Sequence, residues 1–194
     1  MDNVIIYAHP NPKSFNSAIR KTIEEKLKEK DENYTVRDLY QLNFNPVMKP
    51  EDFIAIQHGD FLPDVKKEQT FIKNAKRIFI IHPIWWYSMP AILKGYIDRV
   101  FSHGFAYDVK NGKIERLLTG KEVVIFNTMG ESKKQCEESK VCFCIRKTID
   151  SIFEFCGMNV VHHKIFFSVP YVSDKERKGM LEEVKQIVDN VLKK

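Results

Sequence analysis

The sequence predicts an α/β protein in which helices cover both faces of a parallel β-sheet. Five short apolar runs of strand length alternate with segments whose apolar residues recur at helical spacing. The connections between successive runs are long enough for the right-handed crossovers that join parallel strands. Together these observations favour a single domain that spans residues 1–194, with no internal repeat or linker.

The predicted strands are apolar runs bounded by turn-forming residues. They cover residues 4–8, 34–39, 77–82, 122–128 and 160–169. The first run ends at a His-Pro-Asn-Pro segment, as expected of a buried strand that is followed by a loop.

The predicted helices lie between these strands. Ser14 is a suitable N-cap for the first helix, in which Ile19, Ile23 and Leu27 form the core-facing stripe. Further helices are predicted at residues 65–75, from about Pro90, from residue 141 to a stop at Gly157, and at residues 174–192 after a cap at Ser173 or Asp174.

Two connections are longer than usual. Residues 40–63 are rich in proline, and a segment of this length indicates a lid or a subunit contact. Their apolar side chains need a partner surface: Phe44, Val47, Met48, Phe53 and Ile54. Residues 108–120 predict a small excursion with a turn at Asn111-Gly112.

Composition excludes several classes of protein. No apolar run approaches the ~20 residues of a membrane span, and the N-terminus lacks the features of a signal peptide, so a cytoplasmic location is expected. The net charge of +5 is spread among acidic residues rather than gathered in a stripe, which argues against nucleic-acid binding. A modest positive charge is compatible with small ligands that bear phosphate.

The cysteines and histidines predict no metal site. Cys136, Cys142, Cys144 and Cys156 lack paired C-x₂-C spacing, and reduced structural thiols are expected in the cytosol. His162 and His163 are adjacent on a predicted strand and should therefore point to opposite faces.

An aromatic cluster follows the third predicted strand. Trp85, Trp86 and Tyr87 stand at the carboxyl end of that strand, where open α/β sheets bind ligands. Three consecutive rings cannot all point into one core, so at least one should face solvent, a ligand or a partner chain. Pro90 suits the first turn of the next helix, which should be largely buried on one face.

The aromatic cluster resembles a segment of the flavin-dependent NAD(P)H quinone oxidoreductases of the flavodoxin-like superfamily. That family includes short bacterial enzymes and ancillary subunits of potassium-efflux systems. The matching residues include Pro83, Trp85, Trp86, Ser88, Met89, Pro90, Leu93, Lys94, Gly95, Asp98, Arg99 and the sequence Gly104-Phe105-Ala106-Tyr107. Further matches at Ala8-His9-Pro10, Ser14-Phe15-Asn16, Asp38-Leu39-Tyr40 and Asn43-Phe44-Asn45-Pro46 extend the similarity over most of residues 3–130.

The resemblance implies a flavodoxin-like three-layer sandwich with strand order 2-1-3-4-5, and a homodimer. It implies a bound flavin that takes a hydride from NAD(P)H and passes it to a quinone, a nitro or azo compound, or another small aromatic acceptor. FMN is expected, because the sequence lacks the C-terminal extension of larger FAD-binding relatives; FAD is the alternative. Whether NADH or NADPH is the donor stays open.

The resemblance also assigns site residues. Ser14, Phe15 and Asn16 would bind the phosphate and ribityl part of the flavin. The loops after the third and fourth strands would hold the flavin ring through Pro83, Ile84, Trp85, Trp86, Tyr87, Thr128, Met129, Gly130 and Glu131. His9 is a candidate both for flavin binding and for catalysis. Tyr107 is a candidate catalytic residue that would reach the active site of the partner subunit.

The sequence departs from longer relatives after the fourth strand. They have T-T-G-G followed by a tyrosine and later a histidine, which are assigned to stabilising the reduced flavin. Here the loop is Asn127-Thr128-Met129-Gly130, and no tyrosine occurs between Tyr107 and Tyr171, so that role is not transferred. The alternative function is a flavin-binding regulatory subunit of a membrane potassium-efflux system, although no feature indicates a transporter partner. A one-electron flavodoxin carrier is disfavoured by the basic pI of 8.9.

Overall fold

The computed structural model describes residues 2–193. Its strands are β1 (Asn3–Tyr7), β2 (Tyr34–Asp38), β3 (Arg77–Pro83), β4 (Tyr107–Lys110), β5 (Lys113–Arg116), β6 (Glu122–Thr128) and β7 (Asn159–Phe166). Its helices are α1 (Phe15–Glu29), α2 (Pro50–Gln57), α3 (Pro63–Asn74), α4 (Ala91–Val100), α5 (Lys133–Glu138), α6 (Val141–Phe155) and α7 (Asp174–Leu192).

The main sheet has five parallel strands in the order β2-β1-β3-β6-β7. Because the β4–β5 hairpin intervenes in the chain, β6 and β7 are the fourth and fifth strands of this sheet. The order is therefore equivalent to the predicted 2-1-3-4-5, and the parallel α/β prediction is confirmed.

The two faces of the sheet pack against different helices, which makes three layers. Successive residues of β1 alternate between the two cores, because side chains on a strand point to opposite faces. Val4 and Ile6 belong to the core beneath α3, α4 and α6, whereas Ile5 and Tyr7 belong to the core beneath α1 and α7.

The long connection at residues 40–63 docks onto α4 at a glycine. A Cβ atom on Gly95 would lie 2.1 Å from the carbonyl oxygen of Pro46, so only glycine permits this approach. Arg99, four residues further on, is buried and pairs with Asp52 of α2 and Asp64 of α3. The connection is thus a packed layer on α4 that contains a helix, α2, which the sequence pattern did not predict.

The excursion at residues 108–120 contains the predicted turn. Asn111 and Gly112 have φ values of 52° and 72°, and they join β4 to β5 as a two-residue hairpin loop. Gly157 also has a positive φ, of 90°, directly after the last turn of α6, which confirms its predicted role in ending that helix.

The expectation of reduced cysteines is wrong for one pair. Cys136 and Cys142 form a disulfide with a Cα–Cα distance of 5.3 Å. The short α5 helix, which was not predicted, turns the chain back so that its buried Cys136 meets the first turn of α6. Sequence spacing could not reveal a pairing that depends on that turn. Cys144 and Cys156 are free thiols.

No helix within residues 2–193 is long and apolar enough to span a lipid bilayer.

Candidate active site

A cleft lies at the carboxyl ends of β1, β3, β6 and β7, and its enclosed part measures about 220 Å³. Its lining residues are His9, Ser14, Phe15, Asn16, Pro83, Ile84, Trp85, Thr128, Met129, Gly130, Val169 and Pro170. A neighbouring cavity of about 400 Å³ shares His9. A larger cavity of about 520 Å³ lies at the opposite end of the sheet among charged side chains such as Lys76 and Glu122, away from the predicted site residues. Most residues that the sequence assigned to flavin binding therefore meet at one end of the sheet.

The N-terminus of α1 provides hydrogen-bond donors at the cleft. Ser14 is the N-cap, as predicted, and its hydroxyl accepts a hydrogen bond of 3.1 Å from the Ser17 amide. Within residues 2–193, the amides of Phe15 and Asn16 have no acceptor, as is usual in the first turn of a helix. Free N–H groups and the positive end of the helix dipole make this turn suitable for a phosphate.

The side chain of Asn16 is buried and only half satisfied. Asn16 is 2% exposed, and its Nδ2 donates a hydrogen bond of 2.8 Å to the Thr128 hydroxyl. Its Oδ1 has no partner among the described residues. A buried acceptor without a donor is costly, and a hydroxyl or amide of a ligand in the cleft would supply one.

The aromatic cluster forms a tight turn. The amide of Trp85 donates to the Ser88 carbonyl at 2.9 Å, and the Ser88 amide donates back at 3.0 Å. Trp86 and Tyr87 between them have φ values of 48° and 58°, a left-handed conformation that normally favours glycine or asparagine. Bulky residues there cost roughly 1–3 kcal/mol each, a kind of strain that clusters at ligand-binding sites.

All three rings leave the core, which confirms that at least one had to. Trp85 is 41% exposed, Tyr87 58% and Trp86 96%. Only Trp85 lines the cleft. Trp86 and Tyr87, which the sequence assigned to flavin binding, project away from the enclosed part, because the turn points them outward.

Backbone hydrogen bonds hold the exits of β3, β6 and β7 together. The Ile84 amide donates to the Thr128 carbonyl at 2.7 Å, and the Met129 amide donates to the Phe166 carbonyl at 2.9 Å. The Val169 amide returns a bond of 3.1 Å to the Met129 carbonyl. These loops therefore form a connected wall rather than three independent segments. Glu131 lies just behind this wall, and its buried Oε2 has no partner among the described residues.

His9 stands at the boundary between the two neighbouring cavities. Its Nδ1 accepts a hydrogen bond of 3.0 Å from the Asn11 amide, so the neutral ring has its proton on Nε2. Burial lowers the pKa of His9, although the bond from Asn11 acts in the opposite direction. Its ring centroid lies 5.8 Å from that of Trp85. His9 is thus placed to act as a neutral hydrogen-bond donor to a ligand.

Tyr107 does not line the cleft of its own chain. It opens β4, and its ring packs against Phe155 at 5.1 Å and His103 at 5.6 Å between centroids. Its catalytic role therefore stays a prediction that requires a partner subunit.

The sequence analysis missed the loop after β7. Val169 and Pro170 line the cleft, and the exposed Tyr171 ring lies 4.0 Å from the position that a Cβ of Gly130 would occupy. The predicted fifth strand ran to residue 169, whereas β7 ends at Phe166, so these residues were taken for strand. The rule that parallel strands end at one edge would have found them had the strand been ended correctly.

The described residues, 2–193, contain no group of three or more His, Cys, Asp or Glu side chains that could hold a metal ion. His162 and His163 lie on opposite faces of β7, as predicted, since His163 meets α6 and His162 lines a cavity beside α7.

The chemical groups of the cleft fit a flavin nucleotide. The free amides of Phe15 and Asn16 suit its phosphate, and the unpartnered Asn16 Oδ1 suits a ribityl hydroxyl. The backbone of Pro83 and Ile84, together with the Trp85 ring, provides a largely apolar wall for a flat ring system.

This fold and cleft define a flavodoxin-like protein. Residues 1–189 match the Flavodoxin_2 family, described as having a flavodoxin-like fold, and the chain belongs to that family. The resemblance to flavodoxin-like quinone oxidoreductases is thereby confirmed.

Individual relatives are similar over nearly their whole length. An uncharacterized NAD(P)H oxidoreductase from Haemophilus influenzae is 39% identical, with 94% of this chain and 91% of that protein aligned. The ribosyldihydronicotinamide dehydrogenase [quinone] of Homo sapiens is 30% identical, over 98% of this chain and 91% of its own. The structure of an NAD(P)H:quinone oxidoreductase from Methanothermobacter marburgensis superposes with a TM-score of 0.86 at 27% identity, and 98% of each chain is covered.

Proposed function

We propose that this protein is a flavin-dependent NAD(P)H:quinone oxidoreductase that binds FMN in the cleft at the carboxyl ends of β1, β3, β6 and β7. The observation that supports this most directly is the pairing of free amides at Phe15 and Asn16 with a flat wall at Pro83, Ile84 and Trp85. One end of the cleft suits an anion and the other an aromatic ring, as an amphipathic flavin requires. The names of the relatives supply the reaction class.

A bound flavin would supply the redox chemistry, by accepting a hydride from NAD(P)H and delivering two electrons to a quinone in the same pocket. The residues of this chain bind and orient. Amides of the first turn of α1 hold the phosphate, and the linked exits of β3 and β6 keep the ring wall rigid. His9, neutral and with its proton on Nε2, donates a hydrogen bond without adding charge to the pocket.

Cofactor identity can be tested directly. The protein purified from cells should be yellow, and the flavin released by heat should chromatograph as FMN; FAD would correct the cofactor and leave the reaction class unchanged. NAD(P)H-dependent reduction of a soluble quinone should follow. Protein that binds flavin but has no turnover with quinone, nitro or azo acceptors would overturn the enzymatic proposal and favour the regulatory-subunit alternative.

We further propose that the working unit is a homodimer whose partner chain covers the open side of the cleft. Exposed apolar side chains support this proposal, because they surround the mouth of the site and the docked connection: Val47, Phe53, Ile54, Trp85, Trp86 and Tyr87. Obligate twofold interfaces bury patches of this kind on both chains. Such a dimer would bring Tyr107 of one chain to the flavin of the other.

Light scattering at micromolar concentration tests the stoichiometry, and mixed dimers test the shared site. Asn16→Ala and Tyr107→Ala are each expected to be poorly active alone. Random reassociation of the two variants should restore roughly a quarter of wild-type turnover, because half of the dimers then contain one intact site. A monomer with full turnover, or no recovery on mixing, would contradict the shared site.

A further inference from the structure

Four buried or half-buried polar side chains form a chain of hydrogen bonds behind the cleft. They are His82 on β3, Asn127 on β6, His163 on β7 and Asp150 on α6. Asn127 Nδ2 lies 2.9 Å from His82 Nε2, and Asn127 Oδ1 lies 2.6 Å from His163 Nε2. His163 Nδ1 lies 2.6 Å from Asp150 Oδ1. His82 and Asn127 are fully buried and the His163 side chain is 4% exposed, so the bonds are shielded from water.

The amide of Asn127 determines which atoms donate. Its Nδ2 faces His82 twice, at the ring Nε2 and at the backbone carbonyl 3.3 Å away. Both amide protons are therefore used toward His82. The Asn127 oxygen is left as the acceptor, and His163 Nε2 must carry a proton to donate to it.

The state of His82 follows from its other nitrogen. His82 Nδ1 lies 2.9 Å from the Pro83 carbonyl, which can only accept, so this nitrogen carries the ring proton and Nε2 receives the Asn127 bond. The ring is neutral, because burial lowers the pKa of His82 to about 4, against the raising effect of its Pro83 bond. Turning the Asn127 amide around would require a proton on His82 Nε2 as well, and thus a buried cation.

His163 then has protons on both ring nitrogens. Its Nε2 donates to Asn127, and its Nδ1 faces the Asp150 carboxylate, so the hydrogen bonds describe an imidazolium–carboxylate pair. Arg146 of α6 donates to the backbone carbonyl of His163 and lies on the same side. Lys164 points to the other face of β7, where it pairs with Glu183 of α7.

The chain of donors continues into the walls of the cleft. The Pro83 carbonyl that accepts from His82 belongs to the same peptide unit as the Ile84 amide, which donates to the Thr128 carbonyl at 2.7 Å. Every bond from His163 to Thr128 therefore points in one direction. Bonds aligned in this way polarise one another, and reversal of one opposes all its neighbours. The peptides of both ring-binding loops are thus oriented from a single charged residue on β7.

We propose that His163, held protonated by Asp150, is a positioning residue that fixes the Pro83–Ile84 peptide and the Thr128 carbonyl for ligand binding. Where the ligand is a flavin, this proposal rests on the proposed function. Its structural part does not, because the hydrogen bonds exist within this chain alone. His163 touches neither cleft nor ligand and acts only through Asn127 and His82.

Nitrogen NMR of the protein without added cofactor tests the proton assignment. In the wild type at neutral pH, both ring nitrogens of His163 should be protonated, and His82 should be the tautomer with its proton on Nδ1. His163 with a single proton, or His82 with its proton on Nε2, would overturn the assignment.

Variants test the positioning role. In His163→Phe, amide hydrogen exchange at Ile84 should be faster and FMN should bind about three- to tenfold more weakly, which corresponds to the loss of about one buried hydrogen bond. Asp150→Asn removes the charge but can keep the proton on His163 Nε2, so it should have a smaller effect in the same direction. His162→Phe, on the opposite face of the same strand, is the matched control and should change neither quantity. Thermal unfolding shows that each variant is folded.

The outcomes separate the two proposals. If the wild type binds no flavin, the proposed function fails, while the NMR and exchange measurements still decide the role of His163. If the wild type binds FMN but His163→Phe and Asp150→Asn leave Ile84 exchange and FMN affinity unchanged, the positioning role is wrong and the proposed function stands.

Discussion

The side-chain amide of Asn16 donates a 2.8 Å hydrogen bond to the hydroxyl of Thr128, 112 positions later in the chain. The bond joins the first turn of α1 to the end of β6, at the residue whose carbonyl accepts from Ile84. The phosphate side of the cleft and the ring side therefore meet at Thr128. Asn16 also presents an unpartnered Oδ1, so a single side chain serves both structure and binding.

Asn16→Ala should lower FMN affinity by about one to two decades, because a hydrogen bond to a charged or polar ligand group is lost. It should also lower the free energy of unfolding by about 1–3 kcal/mol, because Thr128 loses its buried partner. Titration of apoprotein with FMN and urea unfolding measure the two effects. Asn11→Ala in the exposed part of the same loop is the control, and equal FMN affinity in Asn16→Ala and wild type would contradict the assignment of the phosphate site.

Gly95→Ala should be severely destabilising, because its Cβ would lie 2.1 Å from the Pro46 carbonyl oxygen and displace the docked connection. Overpacking of this kind costs about 1–3 kcal/mol or more. Gly179→Ala on α7 is the matched control, since nothing lies within 4 Å of its Cβ and helix propensity should make it stabilising by about 1 kcal/mol. Denaturant unfolding compares the two variants, and a neutral Gly95→Ala would show that the connection yields easily.

Arg99→Met should destabilise the protein by about 3–5 kcal/mol, because it leaves the buried carboxylate of Asp52 without its partner. Lys94→Met on the same helix breaks only the exposed pair with Asp98 and should cost less than about 1 kcal/mol. Unfolding in guanidinium chloride measures both changes. Similar losses in the two variants would mean that burial does not distinguish these ion pairs.

His82 should make the protein less stable in mild acid. Its pKa is about 4 in the folded state and 6.5 as the model value, so between these pH values the unfolded chain takes up a proton that the native state refuses. Stability is therefore fully present above about pH 6.5 and falls as the pH drops toward 4, by about 2 kcal/mol at pH 5.

The contribution of His82 is measured as a difference, because burial lowers the pKa values of His9 and His162 and gives them the same sign of pH dependence. Urea unfolding at pH 7 and pH 5 should show a smaller loss in His82→Asn than in the wild type. The exposed His58→Gln is the control and should follow the wild type. A His82→Asn variant with the full wild-type loss would place the acid sensitivity elsewhere.

The sequence by itself determined the layers of the fold and most of the cleft. Alternating apolar runs and helical stripes record which faces are buried, and this burial pattern is local in the chain. Ser14, Pro83 and Thr128 follow directly from where strands end and helices begin. Because parallel strands end at one edge of the sheet, placing the strands also placed these residues near one another.

Only the tertiary structure decided the contacts between distant segments. The close approach of Gly95 to Pro46, the burial of Arg99 with Asp52, the Cys136–Cys142 disulfide and the hydrogen-bond chain from His163 to Thr128 all join residues whose spacing has no regular period. The position of Tyr107 relative to a flavin requires a second subunit, and it stays a prediction. Local patterns specify which surface a residue buries, whereas its partner across that surface depends on the packing of the whole chain.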